Sequence, residues 1–348
     1  MNTQSSTHIQ TLHKSNWVKS IGFVSSMLLL LLLVGMMVHI SSGSLSIGWQ
    51  AYLQGFNAQQ SLVFWELRLP RLVVVTVVGA GLAVAGVALQ ALFRNPLAEP
   101  GLIGVSSSAA LGAVFMIVLG STLFGSVSYW QMSLAAFLSA GLATWFIYAL
   151  ATRYGKTDVA LMLLAGVAIN AIAGASTQLL ISISDDLQMR SAIFWMMGSF
   201  ANISWPSVTV VLVVTLLTSV GLWRLAKPLN AFMLGENISL HMGYDAKRIK
   251  WQIMWGSALM VGVAVATVGV IGFVGLIVPH IVRLWIGTDH RQLIPLSALT
   301  GAILLVFADW VAKTLIAPSE LPIGLFMALL GGPFFLMMLL QQRKAWVK

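Results

Sequence analysis

Four glutamates, six aspartates and six histidines are all the acid–base and imidazole chemistry in the 348 residues, and there is no cysteine. They stand singly along the chain, without the spacing of a metal ligand set or a nucleophile–base pair, so no catalytic residue and no metal site is expected. The sequence holds no G-x-x-x-x-G-K-[ST] phosphate loop, no H-E-x-x-H and no G-x-S-x-G. ATP hydrolysis is therefore not expected of this chain, nor a bound cofactor. "GAG" at 79–81 opens like a dinucleotide fingerprint, but Val84 stands where the third glycine belongs and the run is apolar throughout. Close helix packing suits it better. The missing cysteines exclude a disulfide framework, a thiolate metal site and a thiol nucleophile.

The polar groups that remain gather between apolar runs. "LFRNPLAEPGLIGVSSS" (92–108) puts Arg94, Asn95, Pro96, Glu99 and Pro100 between two such runs, and the prolines predict a rigid, extended turn. Asn95 and Glu99 suit caps for that turn and the next helix. "RLAKPLNAFMLGENISLHMGYDAKRIKW" (224–251) is the longest polar segment. Pro228 and Asn230 can start a short helix whose apolar face is Leu229, Phe232, Met233 and Leu234, and Gly235 can break it before Glu236 begins a second. Two short amphipathic helices fit either a groove on another protein or the lipid interface. Arg68 and Arg71, just before an apolar run, and Lys313 near the end of another suit lipid headgroups or an acidic partner. Asp185, Asp186 and Arg190 precede "FWMMGSF", a polarizable cluster that fits a flat macrocycle or a lid on the bundle. Glu320, between Pro318 and Pro322, suits a cap on the last apolar run.

The elements that must position these groups are membrane helices. Charged residues make up 8% of the chain, hydrophobic ones 58%, and the mean hydropathy is +0.91. Runs long enough to cross about 30 Å of hydrocarbon lie near 21–40, 72–91, 101–120, 133–151, 159–183, 207–226, 252–278, 295–315 and 321–340. The seventh continues through Gly272, Gly275 and Pro279, which predicts a break and a short tenth span at 279–287. The fold expected is all-α, one transmembrane domain over 1–348. With the N-terminus inside, 15 of the 19 lysines and arginines fall on the cytoplasmic side, leaving Arg68, Arg71, Arg190 and Lys313 outside. The net charge of +9 thus reports orientation, with both termini cytoplasmic, and not a nucleic-acid partner. Trp17, Trp49, Trp130, Trp205, Trp223 and Trp251 sit where interfacial belts belong. "HISSGSLS" after the first run is a poor signal-cleavage site, so that run is expected to stay.

Seven blocks carry a resemblance. "WELRLPRL" (65–72), "ALFRNPLAEPGLIGVSSSAALG" (91–112), "LLAGVAIN" (163–170), "FWMMGSF" (194–200), "GFVGLIVPHIVRL" (272–284), "TDHRQLIPLSAL" (288–299) and "ELPIGLFMALLGGPFF" (320–335) resemble, in order, the FecCD permeases of ABC importers. "LGENISLHMG" is similar to the coupling loop of such permeases, here about 229–244, with Leu234, Gly235, Glu236 and Gly243 at the matching positions. The resemblance implies a type II importer permease with ten spans in the bacterial inner membrane. It implies a homodimer, two ABC ATPase subunits carrying ATP and Mg, and an extracytoplasmic binding protein. Asn95 and Leu97 would belong to the cytoplasmic gate, and Arg68, Arg71 and Lys313 to binding-protein docking. Lysine at 313 stands where arginine is common and offers no planar fork. Asn170 and Gly174 would line the central pathway, Asn170 serving equally as an interhelical hydrogen-bond partner. The loop "RYGKTDVALML" does not align with the family's second gate segment, and Thr157 stands in for it.

The family imports iron chelates, hemin and cobalamin, and "LLAGVAINAIAGA" with "DDLQMRSAIFWMMGSF" most resembles the hemin permeases. Ferric-siderophore and cobalamin import are the alternatives on the same architecture. His39, His280 and Met197 suit packing better than ligation of passing iron, since tight ligation opposes release. An ion-coupled transporter would need a buried carboxylate, for which Asp309 is the candidate, with Lys313 one helical turn on to neutralise it. A non-transporting scaffold leaves the coupling-loop match unexplained.

Overall fold

A computed structural model describes residues 4–43, 47, 49–153 and 156–346. Trp17 and Trp49 fall outside the described side chains, as does part of "HISSGSLS". The helices are α1 (Gln4–Ser41), α2 (Trp49–Gln54), α3 (Ala58–Leu62), a π-helical turn (Val63–Arg68), α4 (Leu69–Phe93) and, after a 3₁₀ turn (Pro100–Ile103), α5 (Val105–Phe124). Then come α6 (Tyr129–Ala151), a hairpin of β1 (Thr152–Arg153) and β2 (Lys156–Thr157), α7 (Val159–Ser182), α8 (Asp186–Met196) and α9 (Trp205–Arg224). The chain closes with α10 (Ala226–Met233), α11 (Glu236–His241), α12 (Ala246–Val268), α13 (Val274–Ile286), α14 (His290–Thr314) and α15 (Ile323–Trp346). Among the described residues nine helices are long and apolar enough to cross a membrane, and α13 is a shorter apolar one.

Local chemistry sets the helix starts. Ser128 and Asp185 each form a capping box with Gln131 and Gln188, while Asp158, Asp245 and Asp289 accept from the first backbone amides of α7, α12 and α14. These caps satisfy donors that the first turn of a helix leaves without an intrahelical partner. The second span begins earlier than the apolar run predicts: the helix is continuous from Ala58 to Phe93, so Arg68 and Arg71 lie inside it.

Helix α4 is the axis of the bundle. Val74, Val75, Ala83, Val84, Ala85, Val87, Ala88 and Leu89 are fully buried, as a helix that is apolar on every side must be. It packs against α14 and α12, and "GAG" is where α14 comes closest: a Cβ on Gly79 would lie 2.3 Å from the Gly301 carbonyl oxygen. The glycine pair is a packing device, as expected. At the periphery, α1 exposes Phe23, Leu29, Leu30 and Leu33, a surface suited to lipid.

Of the three residues expected to interrupt the helix, Gly272 lies in the break, while Gly275 and Pro279 lie inside α13. Helix α12 ends at Gly269 (φ 75°), residues 269–273 run non-helically, and α13 starts after Phe273, a left-handed residue (φ 68°). Val270 lies beside Gly198 and Gly324, at the end of the bundle where α15 starts, and α13 finishes at the other end, shortly before Asp289, which Asn230 of α10 bonds. Pro279 sits inside α13 because its missing donor is replaced: the Gly275 carbonyl, four residues back, accepts from the Gln90 side-chain amide at 3.1 Å. Counting 269–286 as one crossing gives ten, so α1 begins and α15 finishes at the same end.

Candidate functional site

Helices α10 and α11 project from the end where α1 begins. Leu229 and Phe232 are fully buried against the bundle, whereas Met233, Leu234, Ile238, Leu240 and Met242 are 42–65% exposed. The pair therefore has one apolar face for its own chain and a second with no cover. Gly235 (φ 134°) and Gly243 (φ 84°) hold the breaks on either side of α11, in backbone regions that L side chains rarely enter. Asn230 does not start α10, which begins at Ala226. Its amide donates to Asp289 at 2.7 Å and its oxygen accepts from the His290 backbone N–H at 3.0 Å, fixing α10 to the start of α14. The Asp289 carboxyl is held down at about 2, first by the Arg291 guanidinium and, against some desolvation, by Asn230 as well.

Glu236 opens α11 and accepts from Lys250 Nζ at 2.7 Å. Lys250 is 3% exposed and also donates to the Thr157 carbonyl at 2.7 Å. Thr157 lies on β2, buried, its hydroxyl 3.0 Å from that of Thr152 across the hairpin. A cleft of about 440 Å³ opens between the end of α4, the start of α7 and Glu236. On its opposite wall, Arg94, left-handed at the end of α4 (φ 47°), places its guanidinium 4.7 Å above the Phe232 ring. Arg94 thereby stacks on α10.

Asn95 and Leu97 follow Arg94. Asn95 Oδ1 accepts from the Leu97 backbone N–H at 2.9 Å, a side-chain turn of the kind asparagine favours, and Leu97 packs against the buried cluster of Leu276, Ile277 and Met338. Glu99 does not cap the 3₁₀ turn with its side chain. Its carboxylate accepts from the Phe273 N–H, at the left-handed residue that starts α13. The linker thus reaches back into the bundle, where Gly101 accepts from Asn170 Nδ2 at 3.0 Å. Asn170 makes the interhelical bond, while Gly174, one turn along α7, faces open space.

The opposite end binds its charges to one another. Arg71 donates through Nε and Nη2 to Asp309 (2.8 and 2.9 Å) and through Nη1 to Glu320 (2.9 Å). His39, fully buried on α1, places Nε2 2.8 Å from Asp309. Lys313 does not reach Asp309. Its ammonium donates to the carbonyls of His39 and Ser42, and Arg68, 7% exposed, donates to those of Ile40 and Ser41. The three cations expected to face outward are brought together, but they are turned into the bundle, because the helix carrying both arginines begins well before them. Glu320 serves as Arg71's partner instead of as a cap. Nearby, a cavity of about 350 Å³ is lined by Tyr129, Phe194, Trp195, Asn202 and Glu320, so part of the tryptophan cluster faces open volume.

Sequence reasoning missed Lys250, the Arg94–Phe232 stack and the Glu99–Phe273 bond. Lys250 had a signal: Ala246, Ile253 and Met254, its neighbours at helical spacing, are all apolar, which put this lysine on the apolar face.

Residues 27–341 match the FecCD transport family. The hemin transport system permease protein HmuU of Yersinia pestis is 41% identical over 322 residues, covering 91% of this chain and 95% of that protein. The vitamin B12 import system permease protein BtuC of Vibrio cholerae is 41% identical over 315 residues, covering 89% and 93%. A solved inward-facing metal-chelate type ABC transporter superposes with a TM-score of 0.83 at 31% identity, over 92% of this chain and 99% of that one. PsaBC from Streptococcus pneumoniae shares the fold alone, with a TM-score of 0.52 at 18% identity over 80% of this chain and 92% of that one. This chain belongs to the FecCD transport family.

Proposed function

We propose that the chain is the permease subunit of an ATP-driven importer that carries hemin across the inner membrane into the cytoplasm. The observation that carries this reading is the 41% identity, over nearly the full length of both chains, with a protein named as a hemin transport permease. Equal identity with a vitamin B12 permease supports a second reading, cobalamin import by the same architecture. Both cargoes are metal macrocycles.

In this reading two copies of the chain enclose the pathway, with Asn170 and Gly174 of each α7 toward it and Asn95 and Leu97 at its cytoplasmic mouth. Both termini face the cytoplasm, and the uncovered apolar face of α10 and α11 docks into a groove on each of two ABC ATPases, which hold ATP and Mg. A continuous apolar face beside Glu236 fits a protein groove through helix-in-groove recognition. An extracytoplasmic binding protein docks over Arg68, Arg71 and Lys313. Its acidic groups would compete with Glu320, the exposed member of the charged cluster, for Arg71. The chain itself performs no hydrolysis: its work is to convert closure of the ATPases into a change of access.

Deleting the gene and comparing growth on hemin, on ferric siderophores and on cobalamin-dependent medium tests the cargo. Loss on hemin alone is the expected result. Loss on cobalamin alone selects the second reading, and loss on siderophore alone overturns both.

A further inference from the structure

The structure assigns to Lys250 a positioning role in transport: it is the rigid link through which movement of α11 reaches the α6–α7 hairpin and the start of α7. This rests on the reading of α10 and α11 as the ATPase-coupling element. Three observations carry it. The Lys250 ammonium bonds at 2.7 Å to both Glu236, on the projecting helix, and the Thr157 carbonyl, on the hairpin. The lysine is buried while Glu236 is 43% exposed, so one end of the link is held in the protein and the other can be displaced. And the hairpin leads directly into α7, whose Asn170 is bonded to Gly101 in the linker.

The chemistry favours a link over a filler. A buried ammonium must keep its acceptors, because losing one leaves a desolvated charge without compensation. When α11 moves, Lys250 therefore has either to carry Thr157 along or to lose a bond in a dry site. The ammonium has three donors, enough to hold Glu236 and the Thr157 carbonyl at once. The Arg94–Phe232 stack on the other side of the cleft is a softer contact, exposed and without a shared proton. It ties α10 to the end of α4 but leaves the hairpin to Lys250.

The absence of cysteine allows a single probe. In the permease–ATPase complex, a bimane label on Ala160→Cys, exposed on the first turn of α7, reports hairpin movement when ATP and vanadate trap the closed ATPases. The wild-type background is expected to give a fluorescence change, and Lys250→Met to reduce it about fivefold or more while ATP hydrolysis persists. Lys250→Arg, which keeps charge and donors, is expected to restore it. An Ala160 signal that is absent in the wild type or unchanged in Lys250→Met overturns the link. If Lys250→Met fails to assemble, Glu236→Gln, which weakens the same bond from its exposed end, must reduce the signal or the proposal is wrong. Leu240→Arg, on the exposed face of α11, separates the two ideas. If ATPase still binds this variant, the coupling reading fails; if binding is lost there while Lys250→Met leaves the Ala160 signal intact, only the link fails.

Discussion

The two ends of the bundle handle polarity in opposite ways. At one end His39, Arg71, Asp309 and Glu320 form a cluster with Lys313 and Arg68 beside it, every described contact satisfied within the chain and across helices far apart in sequence. At the other, the described ion pairs are separate two-residue pairs, Glu236 with Lys250 and Asp289 with Arg291, and a broad apolar face stands uncovered. The first arrangement fixes α1, α4 and α14 against one another. The second leaves a surface that gains only by meeting something else. Under the proposed coupling the first end is the held frame and the second is the lever.

The contrast breaks most severely at Asp309. Asp309→Ala leaves Arg71 and His39 facing each other without their shared acceptor in a buried site, and a loss of about 3–5 kcal/mol is expected, read as a large fall in the melting temperature of the purified protein. Gly301→Val attacks the same frame sterically, since its Cβ would lie 2.3 Å from the Gly79 carbonyl oxygen. Overpacking there should cost about 1–3 kcal/mol in the same assay. Glu99→Ala, by removing the acceptor of the Phe273 N–H, should cost about 1–3 kcal/mol, whereas Glu99→Gln keeps an acceptor and should cost less. Glu320→Gln tests the exposed edge of the cluster. Arg71 keeps both bonds to Asp309, so the change should stay within about 1 kcal/mol.

The smallest effect belongs to Asp289 at the lever end. Its folded-state pKa, about 2, lies below its ordinary value of 3.8. The ionised carboxylate therefore contributes stability that is present above about pH 4 and is lost as pH falls toward about 2. Asp289→Asn should flatten the stability–pH profile only in that window, by a small amount because the group is largely solvated.

The caps at Asp158, Asp185, Asp245 and Asp289 were not read, but the architecture was legible in the sequence because length and hydropathy report the bilayer directly and glycine and proline punctuate it locally. The two short helices around Gly235 were legible for the same reason. What escaped were pairings between distant residues. Asp309 was visible as an unusual carboxylate, but helical spacing pointed to Lys313, and only the fold brings Arg71 to it from 238 positions away. The arginines looked exposed because hydropathy starts the second span after them, while the helix itself starts at Ala58. Gly272 marked the break at 269–273, but the short span was expected to start only at Pro279, because proline is the visible breaker; nothing local announces that Gln90 supplies the donor that Pro279 lacks.

The central claim is most directly tested with the purified chain, its ABC ATPase and its binding protein in proteoliposomes, measuring ATP-dependent accumulation of hemin and of cobalamin separately. The account predicts accumulation of hemin that stops when ATP is withheld and when Leu240→Arg removes the ATPase. Accumulation that persists without the ATPase, driven by an ion gradient alone, would contradict it.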